Sequence, residues 1–250
     1  MIFTIAAREL RGLFLSPLAW TLLAVMQGLL AWIFIILVGD FQGLQGRLAG
    51  LENAPGVTDR VAAPLFRVAA WGLLLVTPLL TMRLFSEERR TGTLDLLLSA
   101  PVGISTIVFG KYLGVLLFLL TLVALVALMP LTLAAGAALD FGKLAAGVLD
   151  LSLLAASFAA AGLYLSALTT QPAVAAAATF GLLLAFWIVD AVGVSQGAIS
   201  PLFAYLSLPR HGDALLLGLF RSQDLAYYLL FSAAFLGLTI RRLDYARLRG

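Results

Sequence analysis

The sequence predicts an all-α membrane protein with six membrane-spanning helices, and three observations lead there. The 250 residues are 62% hydrophobic and only 12% charged, whereas soluble domains run near half apolar and a quarter charged. A mean hydropathy of +1.05 is more than the core of a globule this size can hide, so lipid is the solvent for most of the chain. The apolar residues also fall in six blocks near the ~20-residue length that a spanning helix needs.

The first element is a short amphipathic unit, "IFTIAARELRGLFL" at 2–15. Ile2, Phe3, Ala6, Leu10, Leu13 and Phe14 share one face, with Arg8, Glu9 and Arg11 on the other. That is the pattern of a helix lying in the headgroup layer over 1–16. No small-residue cleavage site breaks the following apolar run, so the N-terminus reads as retained. The first span is 17–38, opened by Pro17, which suits a first helical turn. A polar Gly- and Pro-bearing stretch runs from Gly39 to Pro64. The second span is 67–83, short, with Arg67 and Arg83 snorkelling from its ends and Pro78 kinking it or ending it early.

The third span is 111–135, and the turn "GAALDFGK" reverses the chain into the fourth, 144–168. The tight loop "TTQP" leads to the fifth, 172–192. Residues 193–222, broken by Pro201, Pro209, Arg210 and Asp213, read as two short interfacial or re-entrant helices. The last span is 223–240, closed by Arg241 and Arg242. The whole of 1–250 reads as a single transmembrane domain. Six spans place both termini on one side. With the termini cytoplasmic, ten of the 16 Lys and Arg residues lie inside and six outside, as the positive-inside rule prefers.

The connection between spans two and three stands apart from the other loops. It gathers Arg83, Glu87, Glu88, Arg89 and Arg90 and then carries a helical pattern of its own. Thr91 or Thr93 is placed to cap a helix start, and Gly92 lets the chain turn sharply into it. Leu94, Leu97 and Leu98 share a face, Asp95 suits the N-terminal dipole, and Pro101 stops the run. The result is a rod over 93–101, about 12 Å long. Its leucines face either lipid headgroups or a protein groove. The two glutamates offset the two arginines, which cancels attraction to anionic lipid and favours the protein groove.

"RELRGLFLSPLAW" and "LLTMRLFSEERRTGTLDLLLSAPV" together resemble the permease subunits of the ABC-2 type exporter family. The likeness is nearest to its gliding-motility-associated and nitrous-oxide-reductase-maturation branches. The family stretch E-x-x-x-G-T-x-x-x-L-L-x-x-P-[VI] is met at Glu88, Gly92, Thr93, Leu97, Leu98, Pro101 and Val102. The resemblance implies that 93–101 is a coupling helix. It would dock on a separate cytoplasmic ATP-binding cassette ATPase, with ATP and magnesium bound on that partner and no cofactor on this chain. It implies a second permease copy or a related permease as mate, a bacterial inner membrane as location, and export or extrusion of a substrate. Glu87, Glu88, Arg89, Gly92, Thr93, Leu94, Leu97, Leu98 and Pro101 would form the coupling region. The alternative is a non-transporting assembly subunit that passes force to a periplasmic or accessory membrane partner.

Other chemistry is weakly signalled. The absence of cysteine excludes disulfides and thiolate catalysis, and one histidine, His211 in "LPRHGDA" on the outer face, makes a histidine metal site unexpected. "GISTIVFGKY" has six residues between its glycines and a tyrosine after its lysine, so it is not a P-loop. The small net charge of +3 points to no nucleic-acid partner. Asp150 and Asp190 lie near the outer ends of spans four and five. They read as headgroup-layer anchors or as groups on a transport pathway. Gly110 and Gly114, and the run "AVAAAATFG", favour close helix packing within the chain. Trp20, Trp32, Trp71, Trp187 and the pair Tyr227–Tyr228 read as interfacial or packing aromatics.

Overall fold

The computed structural model describes residues 1–48, 56–94, 102–196, 205–216 and 218–248, with side chains at all of these except 47–48 and 190–196. Among the described residues the regular elements are all helical. They are α1 (Ile2–Leu15), α2 (Pro17–Leu48), a π-helical turn (Thr58–Ala62) running into α3 (Ala63–Thr81), α4 (Ser86–Arg90), α5 (Ile104–Leu131) with a 3₁₀ turn (Thr132–Ala135), α6 (Phe141–Leu168), α7 (Pro172–Gln196), α8 (Leu208–Leu216) and α9 (Ser222–Arg247).

Six stretches are long and apolar enough to cross a membrane: Pro17–Gly46, Thr58–Arg90, Ile104–Ala135, Phe141–Leu168, Pro172–Val189 and Ser222–Arg247. The protein is an all-α polytopic membrane protein. Its helices outrun the apolar blocks that predicted them. α2 continues ten residues past Val38 because a helix ends at a breaker rather than where hydropathy falls, and no proline follows Pro17 until Pro55. The second span begins before Pro64, which sits in the first turn of α3, where its missing N–H costs nothing. Arg67 is therefore inside the helix rather than at its end. α5 starts at Ile104, so Lys111 lies two turns in. Asp140 starts α6 earlier than Leu144 by accepting the Gly142 and Lys143 N–H groups at 3.0 and 3.1 Å, an N-cap that holds two otherwise orphaned donors. Of the two short helices expected over 193–222, α8 is described, and 193–196 instead close α7. α9 runs on to Arg247, through Arg241 and Arg242.

α6 is the hub and packs against α3, α5, α7, α8 and α9. Its run Ala159–Ala160–Ala161 is fully buried. Small residues let helix backbones approach where lipid offers no hydrophobic drive. α2 is peripheral: 11% of its most apolar window is buried, against 61% for α6. Gln27 Nε2 ties it to the bundle by donating to the Leu122 carbonyl at 3.1 Å.

α1 forms over the expected residues, and Ala6, Leu10, Leu13 and Phe14 of its expected apolar face do turn to the core, but the face is rotated at its start. Phe3 is 82% exposed, while Ile5, Ala6 and Glu9 turn inward against α5. Gly110 and Gly114 decide this. A side chain at Gly114 would meet Glu9 Cβ at 2.7 Å and the Ala6 carbonyl at 3.0 Å, so only a glycine lets the two backbones touch. The pair thus packs within the chain, as expected.

Candidate functional site

Charge collects at the two ends of the bundle. At the end where α3 finishes and α5 begins, the chain leaves the bundle through a turn at 82–85 and enters α4. Ser166 of α6 pins that turn. Its hydroxyl accepts the Phe85 and Ser86 N–H groups at 3.0 and 3.2 Å and donates to the Met82 carbonyl at 3.1 Å. The Ser86 hydroxyl donates to the same carbonyl. Pro78 contributes by ending α3 three residues later.

α4 aims Glu88 back into the protein. Lys111 Nζ donates to Glu88 Oε1 at 2.8 Å and to Glu9 Oε1 at 3.0 Å, and lies 5.2 Å from the centre of the Phe85 ring. The lysine is 2% exposed. One buried cation therefore ties α1, α4 and α5 together. Such a network holds only while all its members are present, because an unpaired buried charge is costly. Glu88 Oε2 is also buried and has no partner among the described residues. A cavity of about 390 Å³ lies beside the triad, between α1, the start of α2, the end of α3 and α4, and Arg83, Glu87, Glu88, Thr93 and Lys111 line it.

The coupling residues inferred from sequence divide here. Glu87 and Arg89 are half-buried on α4, Glu87 along the cavity, and Gly92 and Thr93 are exposed. Gly92 has φ +71°, the left-handed conformation its sharp turn required. Thr91 does not open a helix: its hydroxyl donates to the Glu87 carbonyl at 2.9 Å and closes α4. Glu88 was expected on the partner-facing surface and is instead spent internally on Lys111. Leu94 was expected on an outward ridge and is 4% exposed, packed in the chain's own core. Asp95, Leu97, Leu98 and Pro101 lie outside the described residues. Lys111 itself was missed. Its signal was present: a lysine seven residues inside an apolar helix, with acids in both neighbouring segments.

The other end is built on α8. His211, expected on the outer face, is 7% exposed within α8. Its Nδ1 lies 2.6 Å from Asp224 Oδ1, its Nε2 lies 2.9 Å from the Tyr205 carbonyl, and its ring stacks on Tyr227 at 4.2 Å. Arg67 of α3 pairs with Asp213 of α8 at 2.7 Å. Asp150 of α6 is buried at 5% exposure beneath Gly212 and receives the Tyr228 hydroxyl at 3.2 Å. It is an interior group rather than a headgroup-layer anchor. The side chain of Asp190 lies outside the described residues.

Fold and charge placement together define a polytopic membrane protein whose charged clusters, among the described residues, gather at the two ends of an apolar bundle. Residues 65–239 match the family described as ABC-2 family transporter protein, and the chain belongs to that family. It is a transmembrane permease of the ABC-exporter type. The match takes in α4, the triad's Glu88 and Lys111, and the α8 cluster. No curated protein matches the sequence.

Proposed function

We propose that the chain is the permease subunit of an ATP-driven exporter. It receives its power stroke over residues 83–106 from a separate ATP-binding cassette ATPase that holds ATP and magnesium. The observation that carries this reading is the Glu9–Lys111–Glu88 triad. A segment that merely loops through solvent has no need of a buried ionic tie to two other helices. A segment that must hand displacement to the bundle does. In this reading α4 and residues 93–101 meet the ATPase, Lys111 carries the displacement into α5 and α1, and α6 feels it through Ser166. The coupling residues are Glu87, Arg89, Gly92, Thr93, Leu97, Leu98 and Pro101 on the docking side, with Glu88 and Leu94 anchoring the segment from within.

We read the termini as cytoplasmic, at a bacterial inner membrane, and the chain as akin to the gliding-motility-associated and nitrous-oxide-reductase-maturation branches of the family. A second permease copy or a related permease completes the unit, and the little-buried faces of α2 and α7 leave room for lipid or that mate. Co-purification tests the docking. Leu97→Asp is expected to leave the permease inserted and to lose the ATPase from the eluate. An ATPase that still co-elutes with coupled activity would overturn the assignment. Vesicles holding both subunits separate export from force transmission: ATP-dependent movement of substrate supports the first, and ATP turnover without it the second.

A further inference from the structure

Asp150 has an unusual account to settle. Its carboxylate is buried, and a buried charge is tolerated only when paired or hydrogen-bonded. Yet the one hydroxyl proton of Tyr228 faces two acceptors, Asp150 Oδ1 at 3.2 Å and the Leu208 carbonyl at 3.0 Å. Asp150 thus receives at most a share of one hydrogen bond. Among the described residues no basic side chain pairs with it. Arg67 is held by Asp213, and His211 by Asp224.

What the carboxylate does face is a cavity of about 130 Å³. Its wall is part aliphatic and part aromatic, the aromatic share coming from Phe66 and Trp71 of α3, Trp187 of α7 and Tyr228 of α9. The two tryptophan rings stand 4.7 Å apart and tilted by 55°. Arg67 and Asp213, both more than half exposed, form a neutral pair at one side. Gly212 lets the acid sit there, since a side chain at that position would come within 2.7 Å of both carboxylate oxygens.

We propose that this cavity binds a small ammonium cation. Aromatic faces attract a cation through their quadrupoles, and quaternary ammonium groups are recognised in such cages. The unmatched carboxylate supplies the counter-charge. The volume admits a group of trimethylammonium size and falls short of the several hundred Å³ typical of drug-sized sites. A soluble amine and the headgroup of a choline lipid present the same chemistry. The site goes beyond the coupling reading and does not depend on it, because binding is measured on the permease alone.

The probe is tetramethylammonium chloride, titrated into the full-length purified chain in detergent and followed by tryptophan fluorescence, with sodium chloride at equal ionic strength as reference. A saturable change with tetramethylammonium and none with sodium is expected. Asp150→Asn is expected to weaken binding at least tenfold, about 1.4 kcal/mol. Trp71→Leu, at a half-exposed position, repeats the test where Asp150→Asn does not fold. Nanodiscs then distinguish the sources. A titration shifted to higher concentration in phosphatidylcholine than in phosphatidylglycerol assigns the site to a lipid headgroup, and equal titrations assign it to a soluble amine. No saturable response in the parent, or equal affinity in parent and folded variants, overturns the proposal.

Discussion

Lys111 is enclosed by two carboxylates and the Phe85 ring, and that company sets the cost of losing it. Lys111→Met leaves Glu9 and Glu88 facing each other without a cation. Removing one partner of a buried ionic network costs about 3–5 kcal/mol. The expected outcome is a clear drop in the thermal midpoint of the purified protein. Glu88→Gln, which leaves the Glu9 pair intact, is expected to cost less. Equal midpoints for parent and Lys111→Met would show that the triad ties nothing. At this scale the sequence was legible where local backbone geometry decides. Gly92 was placed in a sharp turn from its type and spacing, and it has the positive φ. It was illegible where burial decides. Glu88 and Leu94 looked like surface groups because their loop is too short for a core, yet they borrow the core of the bundle. Asp150 is 78 residues from Tyr228, and Arg67 is 146 from Asp213, and no short-range pattern announces such pairs.

Among the elements, α1 depends most on a neighbour's sequence. Its apolar stripe at Ala6, Leu10, Leu13 and Phe14 faces the core, and Gly110 and Gly114 on α5 set the rotation, with Phe3 left outside and Glu9 drawn in. Gly114→Leu would drive a side chain into the Ala6 carbonyl and Glu9 Cβ, neither of which yields without moving α1. α1 is expected to lift from α5, read as several-fold faster tryptic cleavage after Arg8 and Arg11 in the folded variant. Unchanged cleavage would mean that α1 is held by something other than this close approach. Hydropathy located every spanning helix and set several ends correctly, at Pro17, Ala135, Leu168 and Pro172, and where it missed it stopped short, inside the helix. The ends are governed by capping and by proline, as Asp140 and Pro64 show, and polar residues continue a helix that has already formed.

For the molecule as a whole, an even number of crossings puts the two termini on one side, and the coupling reading proposed above needs that side to be the cytoplasm, the side the arginine distribution favours. Fluorescent protein fused at either terminus is expected to fluoresce, and a reporter active only outside the cytoplasm is expected to work when inserted between Ala137 and Leu139. A reversed pattern would place α4 away from any ATPase and remove the basis of the coupling reading. The six-helix layout and the permease family were both readable beforehand, one from block length and one from the motif around Glu88 and Gly92, because each is a local property repeated along the chain. The hub position of α6 was not, since its alanines signal close packing without saying which helices come close.

α2 has a consequence for how the protein sits in different bilayers. At 1.5 Å per residue its 32 residues extend roughly 48 Å, well beyond a hydrocarbon layer of about 30 Å. Its first turns are fastened where the Trp20 indole N–H meets the Phe14 carbonyl at 2.6 Å, while ten residues beyond Val38 run on with glycine, aspartate and glutamine at the far end. A rod tied by hydrogen bonds only at Trp20 and Gln27 among the described residues, and little buried along its length, meets a thicker or thinner membrane by leaning. The tightly packed helices around α6 need not follow, so lipid composition would be registered as a change in slope at the rim while the centre stays upright.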